Sequence, residues 1–209
     1  MKKVFILFSI LILLPALQNA QSIENLDFIS PFNDGLAAIK KNNQWAFINT
    51  KGDLVIDFRN DLVTTNAEDG NYPIFNNGRC LIVTEKDDIS YFGYIDKNGK
   101  VVIEPQFLNA SNFNNNQAIV LLLDKEVLGE NEILDKRVVN YKYYEVVIDV
   151  NGKTINYLTL NGITVILDKK FLVAPPKITA EIISDHLYRI LNKNNTWTIK
   201  KLNENMLNK

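Results

Sequence analysis

The stretch "NNQWAFINTKGDLVI" at 42–56 returns as "ISYFGYIDKNGKVVI" at 89–103. A chain that writes one phrase twice must house the same local structure twice, and this constrains the fold more than any other feature of the sequence. Aligned on Gly52 and Gly99, the phrase repeats after 47 residues. Each glycine closes a four-residue turn, "NTKG" at 49–52 and "DKNG" at 96–99, and the turn recurs as "DVNG", closing on Gly152. An Asn or Asp at the head of such a turn accepts from the backbone two residues on, and a glycine at its end takes the left-handed conformation of a hairpin with a bulge. The flanks "AFIN" and "GYID" before, "DLVI" and "KVVI" after, carry the β-branched and aromatic residues that strands favour.

A second marker precedes each hairpin: "PFNDGLAAI" at 31–39, "IFNNGRCLIV" at 74–83 and "NFNNNQAIVLL" at 112–122. Each unit thus reads as Phe, a polar turn, a strand, a loop and a hairpin. With no convincing 3.6-residue period, the pattern predicts an all-β fold of tandem antiparallel hairpins and meanders stacked into one elongated domain. Side chains alternate along a strand, so Trp45 and Phe47 share one face while Ala46 and Ile48 share the other; Phe92 and Tyr94 stand against Gly93 and Ile95 in the same way. A large aromatic beside a minimal residue lets one face fill a core while the other admits a backbone closely. Trp45, Phe92 and Trp197 are accordingly expected in the core, each contributing roughly 2 kcal/mol when fully buried.

Together the Phe, Asn-x-Gly, apolar strand, Trp-Gly, "YIDKNGKVVI" and "PQF" elements resemble the WG-repeat family. "FGYIDKNGKVVIEPQF" at 92–107 matches nearly every position except the tryptophan, replaced by Phe92; the first unit keeps Trp45 but puts Ala46 where the family glycine belongs. A third unit carries "VVIDVNGKTI" after a long insert, and "LYRILNKNNTWTI" at 187–199 echoes "LAAIKKNNQWAFI" at 36–48 as a degenerate fourth. The units run about 31–59, 74–107, 112–158 and 180–200 within a single domain, 21–209, and their signature residues are Trp45, Gly52, Phe92, Gly93, Gly99, Gly152 and Trp197. The resemblance implies a bacterial, often exported β-repeat protein that mediates binding, with no shared catalytic residues.

Lys2 and Lys3 lead an apolar run, Val4 to Leu14, then Pro15 and the polar "LQNAQS", which reads as a secretory signal peptide over residues 1–20. The run is shorter than the ~20 residues a membrane-crossing helix needs, so no stable membrane span is expected after cleavage. No cysteine lies near the cut, which argues against a lipoprotein anchor. The expected location is periplasmic, secreted or at the cell surface. Without Lys2 and Lys3 the chain has 21 basic against 24 acidic residues, which gives nucleic acid no electrostatic footprint. A single cysteine, Cys80 in the strand-like "GRCLIV", can close no intrachain disulfide and suits a buried apolar role.

Candidate chemistry is sparse, and no residue pattern asks for a metal or cofactor. The only histidine, His186 in "ISDHLYRI", rules out a His-paired metal site and reads as exposed or hydrogen-bonded. "DKNGKVVIE" shares the acid and amide alternation of a calcium loop but has Gly99 in fourth place rather than sixth. The insert "LDKEVLGENEILDKRVVNYKYYE" holds Asp124, Glu126, Glu130, Glu132 and Asp135, which alternate with Lys125, Lys136 and Arg137 as on a solvated loop or charged strand. Read as an irregular excursion on a regular scaffold, it carries Tyr141, Tyr143 and Tyr144, the residues chosen for binding. Residues 154–174 read as more meander with a hairpin tip at Asn161 and Gly162, "APPKI" as a break, and the polar 201–209 end as frayed or a short capping helix. The sequence thus predicts a non-enzymatic module for an envelope protein. The alternatives are carbohydrate or peptidoglycan recognition through the tyrosines, and glycan hydrolysis by a carboxylate pair.

Overall fold

The structure is a computed structural model that describes residues 22–131 and 136–201. The predicted leader and the last eight residues lie outside the described residues. The chain opens with a sheet of β1 (Phe28–Ile29), β2 (Leu36–Lys41), β3 (Gln44–Asn49) and β4 (Leu54–Arg59), paired in that order. A small ribbon of β5 (Thr65–Ala67) and β6 (Gly70–Tyr72) follows. The second sheet pairs β7 (Cys80–Lys86), β8 (Ile89–Ile95), β9 (Val101–Ala110), β10 (Gln117–Asn131), β11 (Lys136–Asp149) and β12 (Thr154–Tyr157) consecutively, and adds β13 (Ile163–Val165) on the outer side of β11. The last sheet is β14 (Ala180–Ser184), β15 (Leu187–Leu191) and β16 (Trp197–Lys201). Among the described residues there is no helix and the named strands pair antiparallel, so the fold is all-β and built from consecutive hairpins.

The repeated turns have one geometry. In each, the glycine N–H donates to the carbonyl of the opening residue, at 3.0 Å from Gly52 to Asn49, 2.9 Å from Gly99 to Asp96 and 2.9 Å from Gly152 to Asp149. The opening side chain closes the loop by accepting two further backbone N–H groups: Asn49 from Lys51 and Asp53, Asp96 from Asn98 and Lys100, Asp149 from Asn151 and Lys153. Amide and carboxylate do the same work, which identifies the requirement as an acceptor rather than a charge. The second marker is a tight two-residue turn at Asp34–Gly35, Asn77–Gly78 and Asn115–Asn116, all at positive φ.

Stacking follows from the alternation of faces. The forward face of the first unit, Leu36, Ala38, Trp45, Phe47 and Ile56, meets Phe75, Cys80, Ile82 and Ile95 of the second. The forward face of the second, Leu81, Phe92, Tyr94 and Ile103, meets Phe113, Ala118, Val120, Val146 and Ile148 of the third. Ile119, Val147 and Leu158 then meet Ala180 and Tyr188 of the fourth. Each marker phenylalanine lies edge-on against an aromatic of the preceding unit, Phe75 on Phe47 at 4.7 Å and Phe113 on Tyr94 at 4.8 Å between centroids. Phe32, the first marker, meets no preceding unit among the described residues and is half exposed. Polar rungs join the turn tips: Asp34 accepts from the Gly78 N–H at 2.6 Å, and Asn77 from the Asn116 N–H at 3.1 Å. Trp45, Phe92 and Cys80 are buried, as the sequence predicts, and burial pushes the Cys80 thiol well above its ordinary range.

Trp197 departs from expectation, being 49% exposed on the outer face of β16 with the Arg189 guanidinium 4.7 Å from its ring centroid. The reason is register. The β15–β16 tip, Asn192 to Thr196, reproduces the "DKNG" turn, with Asn195 at φ 61° in the glycine position and its N–H on the Asn192 carbonyl at 3.0 Å. Trp197 therefore follows the turn, the place of Leu54 and Val101, and does not correspond to Trp45. Trp197 stands ten residues after Leu187 whereas Trp45 stands nine after Leu36, and that offset is the mark of this different turn.

Three further expectations are corrected in the second half. The long insert is no irregular loop, because β10 and β11 pair residue for residue from Gln117↔Asp149 out to Asn131↔Lys136, with one bulge between Val127 and Gly129. Its alternating charges are written for a ribbon with solvent on both sides. Asn161–Gly162 is not a hairpin tip, since β12 and β13 both run antiparallel to β11 and meet it at different places, Val146↔Tyr157 and Tyr143↔Ile163. Gly162 is needed there because a Cβ would stand 2.7 Å from the Tyr144 ring. Residues 166–179 form no strand, so the meander predicted through Ala174 ends at Val165.

Candidate interaction surface

The long hairpin positions the three tyrosines chosen from sequence near the base of a projecting ribbon. β9 pairs with β10 at Ala110↔Val120 and Phe107↔Leu122, and β13 pairs with β11 from Tyr143 to Tyr141. Beyond those residues β10 and β11 have only each other among the described residues. Such a two-stranded ribbon is marginally stable alone. It carries exposed apolar side chains toward its end, Val127 (56%), Leu128 (61%) and Val138 (46%). Leu128 is the extra residue of the bulge, turned out of the ladder.

Charged groups brace the ribbon across its strands. Lys142 Nζ donates to Glu126 at 2.8 Å. That hydrogen bond and the attached charge hold the Glu126 carboxyl below its usual range and raise Lys142. Lys125 Nζ lies 5.9 Å from the centre of the Tyr141 ring.

The tyrosines do not form one exposed patch; all three are half-buried. Tyr143 packs with Ile89, Leu108 and Leu121 on one side of the sheet, and burial raises its phenol. Tyr144 lies on the opposite side with Leu122 and Phe92, edge-on to Tyr157 at 5.7 Å and covering Gly162. The opposed faces follow from strand alternation; the depth of packing follows from β12, β13 and their flanking residues, which the local pattern does not announce. The exposed residues of the ribbon, Val127, Leu128 and Val138, were missed because a strand end with polar neighbours carries no signal of projecting past its partners.

Several acidic residues stand in ion pairs. Asp88 sits 3.6 Å from Lys169, Arg59 pairs with Asp61 at 2.5 Å, and Glu181 binds Arg189. Among the described residues no group of three or more His, Cys, Asp or Glu side chains converges as a metal site would require. A groove of about 490 Å³ lies between β4 and the Asn98–Gly99 turn and is lined by Asp57, Arg59, Asn60 and Asp61. Arg59 already donates there to the Gly99 carbonyl at 3.1 Å. His186 sits half-buried in the turn between β14 and β15, and its Nδ1 has no hydrogen-bond partner among the described residues. No described helix is long and apolar enough to cross a membrane.

Residues 23–45, 45–80 and 92–125 each match the WG containing repeat. No curated protein and no solved structure matches the chain. The matches cover the first two units and the start of the third, where the turn geometry, the aromatic pairs and the polar rungs repeat most faithfully. Three stretches within residues 23–125 are thus WG containing repeats.

Proposed function

We propose that this β-repeat protein is exported and serves as a non-catalytic scaffold in the cell envelope, binding another protein through the projecting β10–β11 ribbon. The observation that carries the reading is the ribbon itself: two strands extending past their sheet with Val127, Leu128 and Val138 exposed. Exposed apolar residues on an unflanked ribbon are suited to insertion into a partner's surface, with Lys125, Glu126 and Lys142 forming a polar margin. Tyr141, Tyr143 and Tyr144 act at the base, where they hold the ribbon to the sheet and present their edges beside it. Export is supported by the leader pattern of Lys2, Lys3 and the apolar run that follows. The engagement of Asp61, Asp88, Glu126 and Glu181 in ion pairs supports the non-catalytic part.

The test is affinity capture from host envelope extracts by residues 21–209 and by a Val127→Ser, Leu128→Ser, Val138→Ser variant with an unchanged circular dichroism spectrum. A specific partner lost by the variant supports the reading. A partner retained by the variant moves the contact elsewhere, and capture of none by either form contradicts binding.

A further inference from the structure

Residues 166–179 cross from β13 to β14 as a strap over the second sheet. On its inner side Leu167, Leu172 and Ile178 cover Ile89, Leu108 and Leu121 together with Tyr143. Its backbone bonds are local, from Phe171 N–H and Leu172 N–H to the Asp168 carbonyl at 2.9 and 2.8 Å, except at its last residue, where the Thr179 carbonyl accepts from Leu191 N–H of β15 at 2.9 Å. Before Thr179, attachment to the second sheet is through side chains of the sheet and strap. Asn109 Nδ2 donates to the Pro176 carbonyl at 2.8 Å, and Lys169 pairs loosely with Asp88. The far end is held by Glu145, a carboxylate only 2% exposed, which accepts from both the Thr179 backbone N–H and the Thr179 hydroxyl. Burying a carboxylate is costly unless it is hydrogen-bonded, so Glu145 and Thr179 form a bond that neither can leave cheaply.

The outer side of the strap is also apolar, with Ile166 56%, Phe171 69% and Val173 82% exposed. Its apolar side chains are thus divided between a sheet that holds it through a few bonds and solvent that does not suit it. Segments with few backbone bonds to their surroundings open at lower free energy than the sheet core.

We propose that the strap is a displaceable cover, latched by Glu145 and Thr179, that lifts while the sheet beneath stays folded. Lifting uncovers Ile89, Leu108, Leu121 and Tyr143 next to the base of the projecting ribbon. As a regulator of binding this rests on the function proposed above. The opening itself is independent of any partner and is tested apart from it, so a failed capture experiment and a strap that does not open are separate results.

Native-state hydrogen exchange on the 21–209 chain reads the opening directly. The amides of 166–174 and 177–178 are expected to exchange through a local event, with little denaturant dependence, while those of 118–123 and 146–148 exchange only on global unfolding. Thr179→Val, which keeps the shape but removes the hydroxyl donor, and Glu145→Gln, which removes the charge, are expected to speed strap exchange on the order of ten- to a hundred-fold and leave the sheet amides unchanged. Identical rates and denaturant dependence for strap and sheet in the unmodified chain would overturn the proposal, even if neither variant folds. Variants that speed both regions equally, or neither, would overturn the latch.

Discussion

A Cβ placed on Gly93 would stand 2.4 Å from the carbonyl oxygen of Ile103, with the Pro105 nitrogen at 2.6 Å. The cause is the bulge of β9: between Tyr94↔Ile103 and Phe92↔Phe107, Glu104, Pro105 and Gln106 all face Gly93. In the first unit only Asp57 and Phe58 face the corresponding Ala46, between Phe47↔Ile56 and Trp45↔Arg59. The smaller bulge leaves room for a methyl group, which explains why the repeat keeps its glycine in one unit and not in the other. Gly93→Ala is expected to cost about 2–3 kcal/mol and Ala46→Gly about 1 kcal/mol, measured by urea denaturation.

The turn openers give a sharper contrast. Asp96 accepts from the N–H groups of Asn98 and Lys100 at 2.9 and 3.0 Å, and Asn49 does the same in its own turn. Asp96→Asn is expected to change stability by less than about 0.5 kcal/mol, whereas Asp96→Ala loses about 1–2 kcal/mol by leaving both donors to solvent or strain. Thermal denaturation of the two variants side by side makes the comparison.

Asp34 supplies a pH dependence. Burial acts to raise its carboxyl, but the hydrogen bond from Lys97, the Gly78 N–H and the Lys97 charge outweigh it, and the group titrates below its ordinary 3.8. A carboxyl with a lowered folded-state value adds stability that is complete above its unfolded value and is lost as pH falls through the folded one. Asp34→Asn is therefore expected to be less stable than the unmodified chain near neutrality, by less than about 1 kcal/mol at this largely solvated site, with the gap closing in acid below roughly pH 4. Melting temperatures across that range check the sign; a gap that widens in acid contradicts the assignment.

The two tryptophans should behave oppositely. Trp45 is 8% exposed and edge-on to Phe28 at 5.8 Å, while Trp197 is 49% exposed. Trp45→Ala is expected to cost about 3–5 kcal/mol and Trp197→Ala under about 1 kcal/mol. Trp197 fluorescence, isolated in a Trp45→Phe background, should be quenched readily by iodide.

What was legible in the sequence was local. Asn49 with Gly52 and Asp96 with Gly99 fix a turn within four residues, so the tips and their order along the chain could be read directly. The alternation of Phe92 and Tyr94 against Gly93 gave the faces. What could not be read depended on partners distant in sequence. Trp197 resembles Trp45 by letters, but its place is set by the pairing Leu191↔Trp197 across a five-residue turn, where Lys41↔Gln44 encloses two residues. The ribbon looked like a loop because solvent lies on both its sides, which removes the apolar alternation that marks a half-buried strand. Residues 166–174 have strand-like composition yet pair with no strand, and instead lay Leu167 and Leu172 on the sheet as a strap.

The central structural claim is that each unit is held by the face of its neighbour. Phe75 is fully buried against Phe47 and joins the first unit to the second. Hydrogen exchange of Phe75→Ala, with Phe75→Leu as the milder form, tests it most directly. The account predicts lost protection in peptides covering 36–59 and 74–83, with 118–123 and 146–148 retaining theirs. Equal loss throughout the chain, or loss that leaves 36–59 untouched, would contradict stacking by neighbouring faces.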